Sequence, residues 1–469
     1  MRKNTFACYV LTDKKLKKYL NKKDMEAFKQ LKAFNGNITI ELADKIANAI
    51  KKWALSQNVT HFSHWFFPFA SEPAEKQVSF LDYDIKGNII EKFNGKSLVK
   101  TEVDSSSFPN GREVSHFNAR GYVKWDYNSN IFVRKDKGSS ILYIPSYLIT
   151  SGGLVLDEKL PLNRALKTLN RSISDVLNCI GYDIKNVTCN LGCEQEFFIL
   201  DRNIYNKRND LVYAGRTLFD NSIYNASRHY LGVIPSRISN YFSDLNNELW
   251  KLGIATKIQH KECALSQYEI VTIFSNCIDE PQKNMLLIDV MNSIAEQHDL
   301  KVLFHEKPFK NISGSGKHNN WSISTDLGIN LLDPNQCNSE LFLLIFTSVI
   351  SSINKYYELL QVATYSYANC FRLGGSEAPP PIFSVNIGDD MCQALQSYCN
   401  NNTIDLKHCE CNRNRTSAVA FTGNKFEFRL IGASQSVFFI NTIIANIVAA
   451  EFIKILDMLE NSEDRKSVV

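Results

Sequence analysis

The 469-residue chain lacks a Cys-x-x-Cys pair, a basic excess, an uninterrupted apolar run of membrane-spanning length and any internal repeat. Its twelve cysteines are scattered, and Cys409 and Cys411 sit too tightly and too much alone for a zinc site. Reduced thiols and a cytoplasmic setting are therefore expected. A net charge of +4 with 22% charged residues leaves nucleic acid without its usual electrostatic footprint. The run Lys14-Lys15-Leu16-Lys17-Lys18 reads as the solvated face of a helix. The start, Met1 to Phe6, holds no apolar core of signal-peptide length. The most apolar stretch, Val437 to Leu459, is broken by Asn441, Asn446, Glu451, Lys454 and Asp457. It reads as a buried helix, so neither a membrane nor a nucleic acid is expected as partner.

What is present divides the chain near residue 150. Two helices are expected up to about residue 55, the clearer one from Ile40 to Leu55. Short strand candidates follow at His61–Phe67, Gln77–Asp82 and Gly95–Lys100, with a turn at Asp84–Asn88 and an exposed loop from Asp104 to Gly111. After Ser151-Gly-Gly153 the texture changes. A helix over Asn163–Leu177 leads into an apolar strand, and strands and helices then mix, with one helix expected over Leu341–Leu360. The expected class is α+β, with domains at 1–150 and 151–469.

The apolar strand carries two carboxylates. In Val187 to Leu200, Glu194 and Glu196 share one face, while Cys193, Gln195 and Phe197 share the other. Two anions side by side in an apolar setting require a cation, and a metal is the simplest one. A salt-bridged rim is the other reading of this segment. Glu262 and Glu269 form a second pair, whose odd spacing requires a bend or hairpin if both are to face one site. Lys425-Phe-Glu427-Phe-Arg429 alternates charge with phenylalanine, which fits either a half-solvated strand or a binding face. Ser313-Gly314-Ser-Gly316-Lys317-His318 is not a phosphate loop, because Asn311 and His318 stand where glycine and a hydroxyl are needed. It reads instead as a glycine turn before a strand that puts His318 and Asn320 on one face. Glu377 lies between glycines and the run Pro379-Pro380-Pro381, a composition suited to a flap. Arg413 and Arg415 occupy a polar turn suited to an anion.

Taken in order, these segments resemble glutamine synthetase, specifically its type III branch, over nearly the whole chain. The resemblance rests on Thr60–Trp65, Asp104–Pro109, Ala119–Tyr122, Cys193–Phe197, Gly215–Phe219, His305–Phe309, Gly314–Ser322, Arg372–Gly374, Glu377–Pro380 and Asn414–Arg429. It implies a small β-grasp-like N-terminal domain and a catalytic domain with a curved antiparallel sheet backed by helices. It implies that ATP phosphorylates the γ-carboxylate of glutamate and that ammonium supplies the amine, giving glutamine. Two Mg²⁺ or Mn²⁺ ions are implied, one held by Glu196, Glu262 and Glu269 and the other by Glu194, His318 and Glu427. Arg372 and Arg429 are implied as substrate and phosphoryl contacts, Arg415 as a phosphate contact and Gly314 as a backbone contact to glutamate. Phe274, Asn320, Ser322 and Lys425 would line the nucleotide position. Glu377 would close the site and Asp104 would bind ammonium, reaching a neighbouring subunit of a ring, with stacked hexamers as the implied assembly.

The sequence also departs from that pattern. Ser313 and Ser376 replace asparagines, Cys370-Phe371 replaces Asp-His, Ser105 replaces a smaller residue, and Val437–Ile440 replaces a Gly-Pro-bearing stretch. The chain stops at Val469, where type III members ordinarily continue. A ligase acting on another amine or acid, or a non-catalytic ring subunit, are the alternatives these changes leave open.

Overall fold

The computed structural model describes residues 5–34, 36–70, 72–104, 120–136, 138–218, 230–401 and 416–462. It is α+β and separates into two units, Met1–Pro161 with Asn246–Ile254, and Leu162–Leu245 with Ala255–Val469.

The first unit is built on strands β1 (His61–Phe66), β2 (Ala74–Ser79), β3 (Leu81–Tyr83), β4 (Ile89–Glu91), β5 (Lys100–Asp104), β6 (Arg120–Trp125), β7 (Phe132–Asp136) and β8 (Ser139–Thr150). Its main sheet runs β2-β1-β8-β6-β5, with β7 on β8 and β3–β4 as a separate hairpin. One face is greasy for a simple reason. Helix Ile40–Ser56 buries Ile46, Ala47, Ile50, Trp53 and Ala54 in one core with Phe62, Phe80, Phe93 and Trp125.

Three expectations change here. Gly95–Val99 is a helix, not a strand: Asn94 caps it by accepting the Ser97 N–H at 2.9 Å, and the Gly95 N–H donates to Asp44 Oδ1 at 2.6 Å. A third, one-turn helix, Asp13–Leu16, precedes Lys22–Phe34 and Ile40–Ser56. Within its lysine run Lys15 turns inward, donating to the carbonyls of Ala7, Cys8 and Val10 at 2.6, 2.9 and 2.7 Å. The Asp84 turn forms as read, with Asp84 Oδ1 accepting the Lys86 and Asn88 N–H groups at 2.8 Å. Most of the loop expected over Asp104–Gly111 lies outside the described residues.

Asp157 is fully buried, with its two oxygens accepting the Leu148 and Leu160 N–H groups at 2.8 and 3.0 Å. Burial outweighs those bonds and raises its pKa to about 7. Because the folded value lies above the unfolded one, its contribution is full below about pH 4 and is lost as pH rises toward 7. Asp157→Asn should therefore flatten the fall of melting temperature between pH 4 and 7, a slope worth on the order of 3 kcal/mol. Thermal melts of both proteins across that range check it.

The second unit carries β9 (Val187–Asp201), β10 (Thr256–Lys261), β11 (Gln267–Thr272), β12 (Ser275–Asn276), β13 (Leu300–Leu303), β14 (Lys317–Thr325), β15 (Val385–Asn386), β16 (Val419–Phe421) and β17 (Phe426–Phe428). They form one curled sheet, β10-β11-β9-β14-β17-β16-β15, with β12 and β13 also pairing to β9. β9 is long because several strands use it: β14 pairs with Val187–Gln195, β11 with Glu194–Phe198 and β13 with Phe198–Asp201.

The strand alternation sets what each face does. Phe426 and Phe428 are buried, and Phe426 stacks on Phe346 of helix Ser339–Lys355 at 5.6 Å. The helix expected over Leu341–Leu360 is two, breaking at Tyr356 (φ −120°, ψ 26°) into Ser339–Lys355 and Tyr357–Thr364. Leu360 and Ala363 resume the buried pattern after the break, which is why apolar spacing alone reads as continuous. Helix Phe438–Glu460 is long and apolar enough to cross a membrane by length and composition. In this fold, 56% of its most apolar window is buried in the protein, and Glu451 accepts a hydrogen bond from Ser351 at 3.2 Å.

Candidate active site

The open face of the second unit's sheet carries the charged residues in rows. Cross-strand neighbours project to the same side with Cβ atoms about 5 Å apart. His260 of β10 pairs with Glu269 of β11, and Glu269 pairs with Glu196 of β9. This is one row. Two residues back along β9, Glu194 pairs with His318 of β14, beside Glu427 of β17, and this is the second. The bend needed between Glu262 and Glu269 is the β10–β11 hairpin: the Glu262 N–H donates to Gln267 O at 2.9 Å.

Distances within the rows are short. His318 Nδ1 is 3.2 Å from both Glu194 Oε2 and Glu427 Oε1, and Arg429 Nε donates to Glu427 Oε1 at 2.9 Å. His260 Nε2 is 2.6 Å from Glu269 Oε2, and its Nδ1 is 3.5 Å from Glu262 Oε1. The ligand atoms of Glu194, His318 and Glu427 form one group within 4.8 Å, and those of His260, Glu262 and Glu269 form another. Both open into one cavity of about 210 Å³, also lined by Glu196, Glu377 and Arg429.

Electrostatics shows what this arrangement lacks. Six glutamates, at 194, 196, 262, 269, 377 and 427, line the cavity with Arg429 as the one permanent cation among the lining residues. Burial pushes Glu262 up to about 7, aided by the Glu269 charge, and burial also raises Glu196 and Glu269. His260 is raised to about 9, chiefly by its hydrogen bond to Glu269. Burial would lower His318, but Glu194 and Glu427 outweigh it and raise it well above the usual range. Glu194 and Glu427 are lowered in turn, since His318 overcomes their burial. The two imidazolium protons thus balance part of a negative site. Hard carboxylate oxygens with an imidazole in each group, crowded by like charge, fit divalent cations.

Glycines clear the space around the rows. The Gly316 N–H donates to Glu196 Oε2 at 2.6 Å, and a Cβ there would sit 2.1 Å from Arg372 Nη2. Gly192, next to Glu194 on the same face of β9, lets Phe274 lie against the sheet: a Cβ would come within 3.2 Å of the Phe274 Cβ. Asn320 and Ser322 follow His318 on that face of β14, and Asn320 Nδ2 donates to Glu194 Oε1 at 2.8 Å. Lys425 sits in the β16–β17 turn, where its carbonyl accepts the Thr422 N–H at 2.9 Å.

Arg372 is 1% exposed and does not line the cavity. Its guanidinium donates to the carbonyls of Arg429 and Ile431 at 3.1 and 3.3 Å and lies under Gly316, so it braces the segment that carries Arg429 and the turn whose Gly316 N–H holds Glu196. Gly314 is held by Gln267 Nε2, which donates to its carbonyl at 2.8 Å. Ser313 Oγ lies 3.4 Å from Ser376 Oγ at the foot of the Glu377 loop, and Glu377 itself adopts φ +59°. Phe371 packs under the Arg216 guanidinium at 3.9 Å. Asp104 ends β5, but its side chain lies outside the described residues, as do Ser105, Arg413 and Arg415 entirely.

Two residues escaped the sequence reading. His260 lies two positions before Glu262 and so on its face, a signal that was available. Glu306 is 0% exposed; its carboxylate accepts from the Ser434 N–H and Oγ at 3.1 and 2.7 Å, and its carbonyl from the Ser315 N–H at 2.8 Å. Only the fold reveals that it ties together the two loops flanking Arg372.

A curled sheet with paired carboxylate–imidazole groups on its open face defines a protein of the glutamine synthetase fold, built to hold divalent cations. The family models agree: residues 2–165 match the N-terminal region of type III glutamine synthetase, and residues 175–384 match the glutamine synthetase catalytic domain. The chain belongs to the glutamine synthetase family, in its type III branch. It is 40% identical to a glutamine synthetase of Bacteroides fragilis over 92% of this chain and 62% of that one. It is 38% identical to a type-3 glutamine synthetase of Dictyostelium discoideum over 89% of this chain and 60% of that one. The chain thus spans about 60% of the length of these curated relatives. The fold also matches a solved glutamine synthetase of Plasmodium falciparum, with TM-score 0.63 and 15% identity over 86% of this chain and 75% of that one.

Proposed function

We propose that this chain ligates ammonia to the γ-carboxylate of L-glutamate at the expense of ATP, through γ-glutamyl phosphate, releasing ADP and phosphate. The observation that carries the reading is the pair of adjacent carboxylate–imidazole groups opening into one cavity with Arg429 and the Glu377 loop. Both reactants are anions, and this site concentrates the means of bringing them together.

Two divalent ions, Mg²⁺ or Mn²⁺, would be held by the two rows and would supply charge neutralisation to the carboxylate and phosphate oxygens. The chain's own residues do the rest. Arg429, fixed by Glu427 and by the Arg372 brace, points a guanidinium at the transferring group. Phe274 and the Gly192 clearing, with Asn320, Ser322 and Lys425, accept the nucleotide, and Arg415 adds a phosphate contact. The Gly314 backbone and Glu262 receive the amino-acid end. Glu377 closes the mouth and takes a proton from the attacking nitrogen, and Asp104 of a neighbouring copy binds ammonium in a ring, by the family pattern stacked hexamers. Residues 1–150 serve as the β-grasp-like domain and 151–469 as the catalytic one.

The deciding experiment is Mg²⁺-ATP-dependent formation of γ-glutamyl hydroxamate from glutamate and hydroxylamine, run beside a native-mass measurement. Turnover fastest with glutamate and ammonia is expected. The Ser313–Ser376 contact and the Phe371–Arg216 stack alter the substrate end. Faster turnover of another acid or amine in a substrate panel would move the reading to a different ligase of this fold, and absence of turnover with any would overturn it.

A further inference from the structure

We propose that Glu280 is a positioning residue for the nucleotide, its buried carboxylate fixing a strand bulge that carries Phe274. The inference rests on the reading that puts Phe274 beside ATP. Glu280 itself is 0% exposed and does not line the cavity.

Strand register defines the bulge. β11 follows β9 as far as Val271 opposite Glu194, and β12 resumes with Ser275 opposite Leu191. Between those pairs, Thr272, Ile273 and Phe274 have only Gly192 and Cys193 across from them. One residue is in excess, so the strand buckles, and a bulge re-aims the side chains it carries. Phe274 is turned out beside Gly192, with 64% of its surface exposed. A ring so exposed on the open face of the sheet is a platform on which a base can stack. A buckled strand also gives up ladder hydrogen bonds, and other groups must hold its shape.

Glu280 supplies that hold. It stands in the first turn of helix Asp279–Gln297, where the helix dipole favours a carboxylate. Its Oε1 accepts from Thr272 Oγ1 at 2.6 Å and its Oε2 from Ser275 Oγ at 2.8 Å, one on each side of Ile273-Phe274. Burial raises the pKa of Glu280, and the two hydroxyls and the N–H of Cys193, across from the bulge on β9, pull it back down. One carboxylate thus ties both shoulders of the bulge to the strand they leave. Asn276 fixes the helix start in turn, with its Oδ1 accepting the Asp279 N–H at 2.8 Å and its Nδ2 donating to Asp279 Oδ2 at 2.7 Å. Short bonds to an ionised acceptor are the strong kind, so the ring is set from beneath by a group that never meets the ligand.

Calorimetric titration of the full chain with Mg²⁺-ADP tests this without turnover. Phe274→Ala and Glu280→Ala are each expected to weaken binding about tenfold, and the double variant no more than either alone, because both act through one ring. In the hydroxamate assay, Glu280→Ala should raise KM for ATP by the same factor, with KM for glutamate within about twofold of the parent. Additive losses in the double variant overturn the proposal, as does an equal rise in both KM values. If Glu280→Ala does not fold, Ser275→Ala, which cuts one shoulder only, decides: binding about threefold weaker supports the proposal and parent-like binding overturns it. Unchanged binding in Phe274→Ala would remove the nucleotide reading and this inference with it. Weakened binding in Phe274→Ala beside parent-like binding in Glu280→Ala would remove this inference alone.

Discussion

Glu427→Ala is expected to lower hydroxamate formation by about a thousandfold or more, which would be among the largest effects of any single substitution in this chain. Glu427 accepts from Arg429 at 2.9 Å and stands 3.2 Å from His318. Removing it strips one of three donors from its cation site and frees Arg429, 4% exposed, from its Nε partner. Stripping one partner from a buried charged cluster costs about 3 kcal/mol or more, so the melting temperature should fall as well. Glu427→Gln separates the two effects. The carboxamide can still accept from Arg429, so the fold should hold while activity stays lost. Hydroxamate formation and thermal melts of both variants check this, and unchanged activity in Glu427→Ala would remove the cation assignment.

Gly314→Ala should be nearly as damaging, by a different route. A Cβ at Gly314 would lie 2.3 Å from the Glu306 carbonyl and 3.0 Å from Arg372 Cγ. Neither neighbour can yield. The Glu306 carbonyl is engaged by the Ser315 N–H at 2.8 Å, and Arg372 is held by two carbonyls and Asn369. The strain moves the Gly314–Gly316 turn, and with it the N–H that holds Glu196. Overpacking of this kind costs about 3 kcal/mol, and activity should drop about a hundredfold because a displacement near 1 Å is enough at such a site. Gly152→Ala is the control: its nearest neighbour would be Thr150 Oγ1 at 3.9 Å, and it should behave as the parent in melting and turnover. Equal behaviour of the two variants would show that the turn tolerates movement.

Much of the site was legible because β-strand alternation is a local rule. Glu194 with Glu196, His318 with Asn320, and Glu427 between two phenylalanines each announce a face within a few residues. The errors came where a non-local partner decided the outcome. Gly95–Val99 reads as a strand until Asp44, about fifty positions earlier, engages the Gly95 N–H. The apolar pattern past Tyr356 stays helical in period, so the break is invisible to it. The burial of Arg372 is likewise outside local rules, though no error of reading, since its hydrogen-bond acceptors at 429 and 431 are brought to it only by folding.

The sequence by itself determined the α+β class, the family and the faces of the strands, since composition, motif order and a two-residue period all reside in the chain. Only the tertiary structure decided which faces meet. Strand register put Glu269 opposite both His260 and Glu196, and His318 opposite Glu194. Register is set by pairing between residues up to about a hundred and forty positions apart, and charges become a site only when that pairing brings them within a few ångströms.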